Sequence, residues 1–309
     1  MSKKFPRKEI YVYTSPVPLG EGRVVALKDR EFSIGRRLRE YSEKRWETDN
    51  KGWNSSVIPT AINIETDEHS MIIHCGLTEY KYLLGRVKFA AEKGESDLTE
   101  SVNGLSTEIV PITPDDIFPL ERRSKSITQQ GAGFYDVPSA GQNAQMWLDK
   151  LPMEKSKLVK DIFDMFGFPR WNLIRNLSLE EGEIGEIFYT GFSKGFEVSL
   201  DMQFNGYVKI KPSAEEIRTR KGNMEKLFYR WKDLPEILRS INNNGRVGHR
   251  IKEDIYGNIP QPTKEGFKIV DDCLGTLLSN TFHLNGKNQY LDGMKILKEK
   301  GYKVEGYLK

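Results

Sequence analysis

The chain has 309 residues, 38% hydrophobic and 29% charged, with 47 basic against 44 acidic residues and a net charge of +3. That length corresponds to about two domains. The composition excludes low-complexity disorder, and the near-balance of charge argues against a nucleic-acid binder, which carries a clustered basic excess.

The basic residues 1–8 lack the apolar stretch of a secretion signal, and no run approaches the roughly 20 apolar residues of a membrane span. The expectation is a soluble, cytoplasmic protein with no membrane partner. Ile10 to Thr14 is an unbroken run of β-branched and aromatic residues, as in a strand. Pro16 to Gly20 reads as a loop and Arg23 to Leu27 as a second strand. Glu31 to Trp46 has helical spacing, with Ile34, Leu38 and Tyr41 on one face. Ile58 to Ile64 and Met71 to Cys75 form a strand pair split by the polar turn Thr66 to His69. Thr78 to Phe89 fits either helix or strand. The polar stretch Glu92 to Asp97 marks a boundary, dividing the chain into an N-terminal α+β domain (1–101) and a second domain (102–309).

In the second domain, Leu105 to Pro119 reads as strand, turn, strand, and Gly131 to Val137 as a further strand. Gln145 to Phe166 is the strongest helical region, with Leu158, Ile162, Phe163 and Phe166 as its apolar stripe and Gly167 as its stop. Leu173 to Leu179, Ile184 to Thr190 and Glu197 to Ile210 read as strands. Lys226 to Asn242 has helical spacing, with Leu227, Trp231, Leu234, Ile237 and Leu238 on one face. Residues 243–265 are a loop, and Gly266 to His283 and Gln289 to Lys300 are closing helices. The fold class is α/β of the α+β kind, a mixed sheet flanked by helices.

Three stretches carry chemistry: Ile117 to Ser124, ending in Arg122 and Arg123; Gly133 to Gly141; and Lys160 to Phe168. In this order they resemble the Nudix hydrolase family, whose pattern runs from an arginine pair through a W-x-x-P-G-G strand to a helix of the form R-E-U-x-E-E-x-G-U, where U is apolar. Leu227 to Glu236 resembles the family's closing strand or loop running into its last helix, so the resemblance covers roughly residues 105–240. It implies that Asp161 and Asp164 bind Mg²⁺ or Mn²⁺, hard ions that take oxygen ligands. Carboxylates at i, i+3 and i+4 share one helix face, where metals can bridge a diphosphate and activate water.

The sequence departs from the family pattern at several positions. Met165 stands where the third carboxylate would be, Lys160 where the arginine would be, and Ser139-Ala140 where the glycine pair would be, with Gly141 next in line. Between these and the helix the one glutamate is Glu154. Met165→Glu is expected to restore an acidic triad and tighten metal binding.

Two functions are consistent with these residues. One is a metal-dependent pyrophosphohydrolase of a nucleoside diphosphate linked to another moiety. Asp161 and Asp164 would be catalytic ligands, Glu183 or Glu186 a loop base, and Arg122, Arg123 and Gly141 the substrate-binding residues. The other is a catalytically degenerate protein of the same fold that binds a nucleotide-like small molecule or a protein partner. The family's N-terminal β-rich extensions also imply a homodimer. His74 reads as a core histidine, and His283 and Cys273 as structural. Cys75 and Cys273 make neither a metal motif nor a disulfide framework.

Overall fold

The computed structural model describes residues 9–49, 55, 57–93, 102–123, 133–142, 162–195, 202–220, 225–240, 253–258, 269 and 271–308. In chain order the elements among them are β1 (Glu9–Leu19), β2 (Val24–Lys28), α1 (Arg36–Asp49), β3 (Val57–Thr66), β4 (Met71–Glu79), α2 (Tyr80–Lys93), β5 (Leu105–Ile112), β6 (Ile117–Arg122), β7 (Tyr135–Asp136), β8 (Gly141–Gln142) and β9 (Ile162–Phe163). The remainder are α3 (Gly167–Leu177), β10 (Ile184–Gly195), β11 (Met202–Ile210), α4 (Ala214–Thr219), β12 (Lys226–Arg230), α5 (Leu234–Ser240), α6 (Asp271–Asn285), α7 (Lys287–Glu299) and β13 (Lys303–Leu308).

These elements make a mixed α/β structure of the α+β class. A six-stranded mixed sheet runs β13-β1-β10-β11-β5-β8, a three-stranded antiparallel sheet runs β12-β6-β7, and a four-stranded sheet runs β3-β4-β2-β9. β5 is buried at every position, as a strand covered on both faces must be. One face of the large sheet contributes Ile10, Val12, Val110 and Ile112 to a core with Leu274 and Leu278 of α6 and Leu297 of α7. The opposite face contributes Tyr13, Ile109, Phe204 and Val208 to a second core with Leu173 and Leu177 of α3 and Ala26, Met71 and Ile73 of the four-stranded sheet. Among the described residues, no helix is long and apolar enough to cross a membrane.

Strand pairing does not respect the expected division at residues 101 and 102. β1 lies between β13 and β10 in the large sheet, and β2 pairs with β9. The expected loop at Pro16 to Gly20 lies mostly within β1. That strand continues to Leu19, but its register with β10 shifts between Thr14 and Leu19, where Pro16 and Pro18 cannot donate to the ladder. Opposite Thr14, Gly191 has φ +148°, and a Cβ there would stand 1.9 Å from the Tyr13 carbonyl oxygen. Only glycine suits that close approach.

Three further expectations are corrected. Ile162 and Phe163, read as the end of a long helix, are strand β9, and Gly167 begins a helix instead of stopping one. Residues 145–161, the first part of that reading, lie outside the described residues. Leu173 to Leu177, read as a strand, belong to α3, where Leu173 and Leu177 are one turn apart and buried and Pro169 sits in the first turn. Lys226 to Ser240 is not one helix. Lys226 to Arg230 pairs with β6, because Leu227, Phe228 and Tyr229 suit a pleated, buried surface. A single tight turn at Trp231 to Asp233 then leads into α5.

The side of α6 that meets the sheet is polar as well as apolar. Thr276, Ser279 and Asn280 are completely buried there against Thr190, Ser193 and Asn205. The Thr190 hydroxyl donates to Asn280 at 2.8 Å, and the Asn280 amide donates to the Gly206 carbonyl at 2.7 Å. Thr276 and Ser193 hydroxyls lie 2.8 and 3.1 Å from the Asn205 side-chain amide. Each buried polar group is thus matched to another, which fixes where the helix sits on the sheet.

Candidate functional site

The structure scatters the expected site residues. Asp161 and Glu154 lie outside the described residues. Asp164 sits in the turn between β9 and α3, where its Oδ1 accepts the backbone N–H groups of Phe166 at 3.0 Å and Gly167 at 2.7 Å. Its carboxylate therefore closes the entry to α3, satisfying N–H groups that a helix start leaves open. Met165 is buried at 2% exposure, and its carbonyl accepts the Tyr189 hydroxyl. Residues 162–166 form strand and turn, so Asp164 and Met165 do not lie on a helix.

Glu183 is held fork to fork by Arg220, with both oxygen–nitrogen distances 2.6 Å. It also accepts the Glu180 backbone N–H at 2.9 Å. The Arg220 hydrogen bonds hold its carboxyl down at about 2, which suits a brace and not a proton acceptor. Glu186 is exposed on β10, its Oε1 close against Gly20. Gly141 pairs with Thr107 at the edge of the large sheet, and a Cβ there would press on Asn172 and Phe168.

Arg122 and Arg123 come closer to a constellation. Arg122 Nη1 lies 3.0 Å from Glu225 Oε2, and Tyr135 donates its hydroxyl to Glu225 Oε1 at 2.7 Å. Arg123 Nη1 stands 3.8 Å from Asp136 Oδ2. The two arginines thus serve different carboxylates.

Around them lies a set of residues that sequence reading did not single out. Lys226 of β12 is the register partner of Glu121 in β6, and Glu121 is the register partner of Asp136 in β7. Directly paired residues project to the same face of a sheet, so the three form one row. Glu108 of β5 acts on Asp136 and holds its carboxyl down against burial, and Glu108 accepts the Thr276 hydroxyl of α6. Glu108, Asp136 and Glu121 are 0%, 6% and 7% exposed. Arg123 and Lys226 are half-buried, and Arg175 of α3, whose charge also acts on Glu121, is exposed.

Burial is the dominant electrostatic influence in this row. It pushes the Glu121 carboxyl up to about 7, Asp136 adding to the rise while Lys226 and Arg175 oppose it. It also raises Asp136 against the pull of Arg123, and lowers the Lys226 ammonium against the pull of Glu121. Glu121 Oε2 has no hydrogen-bond partner among the described residues. Buried carboxylates with raised values beside a lysine and arginines form the kind of grouping that marks functional sites. One signal was available in the sequence: Glu108 is the one charged residue in the run Leu105 to Ile112, and a charge inside a fully buried strand requires a partner.

Among the described residues, no group of three or more histidine, cysteine, aspartate or glutamate side chains is arranged to hold a metal ion. His74, expected in the core, is 8% exposed, with Nδ1 2.6 Å from Asp29 Oδ2. Cys75 and Cys273 are both buried, and neither is in a disulfide. Comparison of the chain with models of known protein families and with curated proteins finds no match.

Proposed function

We propose that this chain is a catalytically degenerate protein of the Nudix type, related over residues 105–240, that binds a nucleotide-like small molecule in the cytoplasm. The observation that supports a binding role over hydrolysis is the fate of residues 162–166. Where the family's metal helix would stand, these residues form a strand and a turn. Asp164 is engaged by backbone N–H groups, and Met165 is buried. The described residues therefore do not fit Mg²⁺ or Mn²⁺. Arg175 is the exposed cation beside the Glu121–Asp136 row, and guanidinium groups suit phosphate oxygens.

The test is a binding titration with nucleoside diphosphates, nucleotide sugars and dinucleotides, with and without Mg²⁺ and Mn²⁺. Phosphorus NMR of the same mixtures monitors bond cleavage. Saturable binding that needs no metal, with the ligand recovered intact, is the expected result. Metal-dependent cleavage would restore the hydrolase reading, and failure of every compound to bind would overturn the nucleotide assignment.

A further inference from the structure

Three carboxyl groups meet where β5, β6 and β7 converge, and their arrangement conflicts with ordinary sheet design. Like charges directly opposite each other on paired strands are destabilising, yet Glu121 and Asp136 are direct partners. β7 itself has only two residues, and the two pairs Glu121–Asp136 and Arg122–Tyr135 are its entire register with β6. The strand ends are closed by the Arg123 N–H donating to the Phe134 carbonyl at 2.8 Å and the Gly133 N–H donating to the Arg123 carbonyl at 3.0 Å. The ladder to β6 is therefore short, and β7 is held otherwise by the burial of Phe134, Tyr135 and Val137 and by the bridge from Tyr135 to Ile269, so repulsion within the Glu121–Asp136 pair acts against that packing.

From this geometry we infer that Glu121, Asp136 and Glu108 form a proton-dependent latch that docks β7 onto β6 when the row is protonated and loosens it when the row ionises. The groups facing the latch come from four elements and from the residue after β6. Lys226 on β12 and Arg175 on α3 act on Glu121; Arg123, just beyond β6, and Glu108 on β5 act on Asp136; and Thr276 on α6 donates to Glu108. The cations do not compensate fully: Arg123 stands 3.8 Å from Asp136, and Glu121 Oε2 finds no hydrogen-bond donor among the described residues. A proton shared between Glu108 and Asp136 joins those two strands by a carboxyl–carboxylate hydrogen bond, and a second proton on Glu121 removes the cross-strand repulsion.

Opening would be felt in the turn after β7. The Pro138 and Ser139 carbonyls accept the side-chain amides of Asn176 and Asn172 on α3, at 2.6 and 3.1 Å. The Ser139 hydroxyl donates to the Ile109 carbonyl. The turn is therefore anchored at its far end by α3 and β5, and the latch decides whether its near end is held too.

The direction of the effect is set by linkage. A group that binds its proton more tightly in the docked state than in the open state favours opening as pH rises. With Glu121 displaced from 4.5 to about 7, opening increases about tenfold per pH unit across that interval and levels off above it.

Hydrogen exchange of the full chain, measured by mass spectrometry between pH 5 and pH 8 and corrected for the intrinsic pH dependence of exchange, reads this directly. Residues 133–137 are expected to lose protection at least tenfold between pH 5 and pH 7, while 202–210 in β11 stay constant. Glu121→Gln should flatten most of the slope between pH 5 and pH 7, and Lys226→Met should extend it to higher pH. If the glutamine variant folds poorly, Glu121→Met serves in its place. Flat protection in 133–137, or an unchanged slope in the Glu121 variants, would overturn the latch.

Discussion

Glu183 and Arg220 meet fork to fork, each carboxylate oxygen 2.6 Å from one guanidinium nitrogen. The same guanidinium donates to the Ser178 carbonyl at 3.0 Å, so the pair joins the end of α3 to the end of α4. Bidentate geometry makes this stronger than a typical surface ion pair, though about a quarter of each side chain is exposed and screening limits the gain to about 1 kcal/mol. Because Glu183 is depressed from 4.5 to about 2, its contribution is present above 4.5 and lost as pH falls towards 2. Glu183→Gln should therefore lower urea stability at pH 7, with the deficit shrinking at pH 3. An equal deficit at both values would show that charge is not the source.

Asp164 is expected to behave as a capping residue. Asp164→Ala should cost about 1 kcal/mol, while Asp164→Asn, which keeps an acceptor oxygen, should cost less. Thermal melts of the two variants decide this. A metal-dependent stabilisation of wild type that both variants lose would contradict it.

Met165→Glu now carries the opposite expectation from the one that the sequence suggested. A carboxylate at a position 2% exposed has no solvent, and no group of carboxylates among the described residues could form a cage with it. The variant should lose about 2–5 kcal/mol and gain no affinity for Mg²⁺ or Mn²⁺ by calorimetry. A folded variant that binds either ion would refute this account of the turn.

Glu121 should make the whole protein less stable as pH rises. Its carboxyl is raised from 4.5 to about 7, so the folded state holds a proton that the unfolded state has released. Stability falls between those values, and above them the full penalty of ~3 kcal/mol remains. Glu121→Gln is expected to raise the melting temperature at pH 8 and to leave it nearly unchanged at pH 4.5. A variant less stable than wild type at pH 8 would mean that the carboxylate has a stabilising partner.

Gly191→Ala should be among the most damaging of small substitutions. The added Cβ meets backbone, not a movable side chain, 1.9 Å away, and φ is +148°. Strain of about 1–3 kcal/mol is expected, readable as a drop in denaturant midpoint. Alanine without effect there would show that β1 and β10 separate easily at this point.

The elements that local pattern decides were legible in the sequence. Ile10 to Thr14, Met71 to Cys75 and Leu105 to Ile112 are rich in β-branched and apolar residues, and each lies in a strand. The closing helices α6 and α7 lie close to their expected ranges. The failures arise where distant partners decide. Leu173 to Leu177 gives little local choice between strand and helix, and it is Asn172 and Asn176 reaching the carbonyls of Ser139 and Pro138 that fix α3 in place. Leu227 has helical spacing with Trp231 and Leu234, but β6 is waiting to pair with Lys226 to Arg230. Of the carboxyl row the sequence offered only the lone charge of Glu108, for the same reason: Glu108 and Thr276 are 168 positions apart.

The parallel pairing of β1 with β13, Ile10 beside Val304 and Thr14 beside Leu308, bears on how the chain is made. During synthesis the first strand emerges long before either of its neighbours, β10 and β13, exists. Until they arrive, its apolar residues Ile10, Val12 and Tyr13 have no sheet to join, and an unpaired edge invites the wrong partners. Contacts this distant in sequence also slow folding, because a long loop must close before they form. A fragment ending near residue 101 would expose β1 permanently, so the N-terminal segment should be produced with the rest of the chain and not by itself.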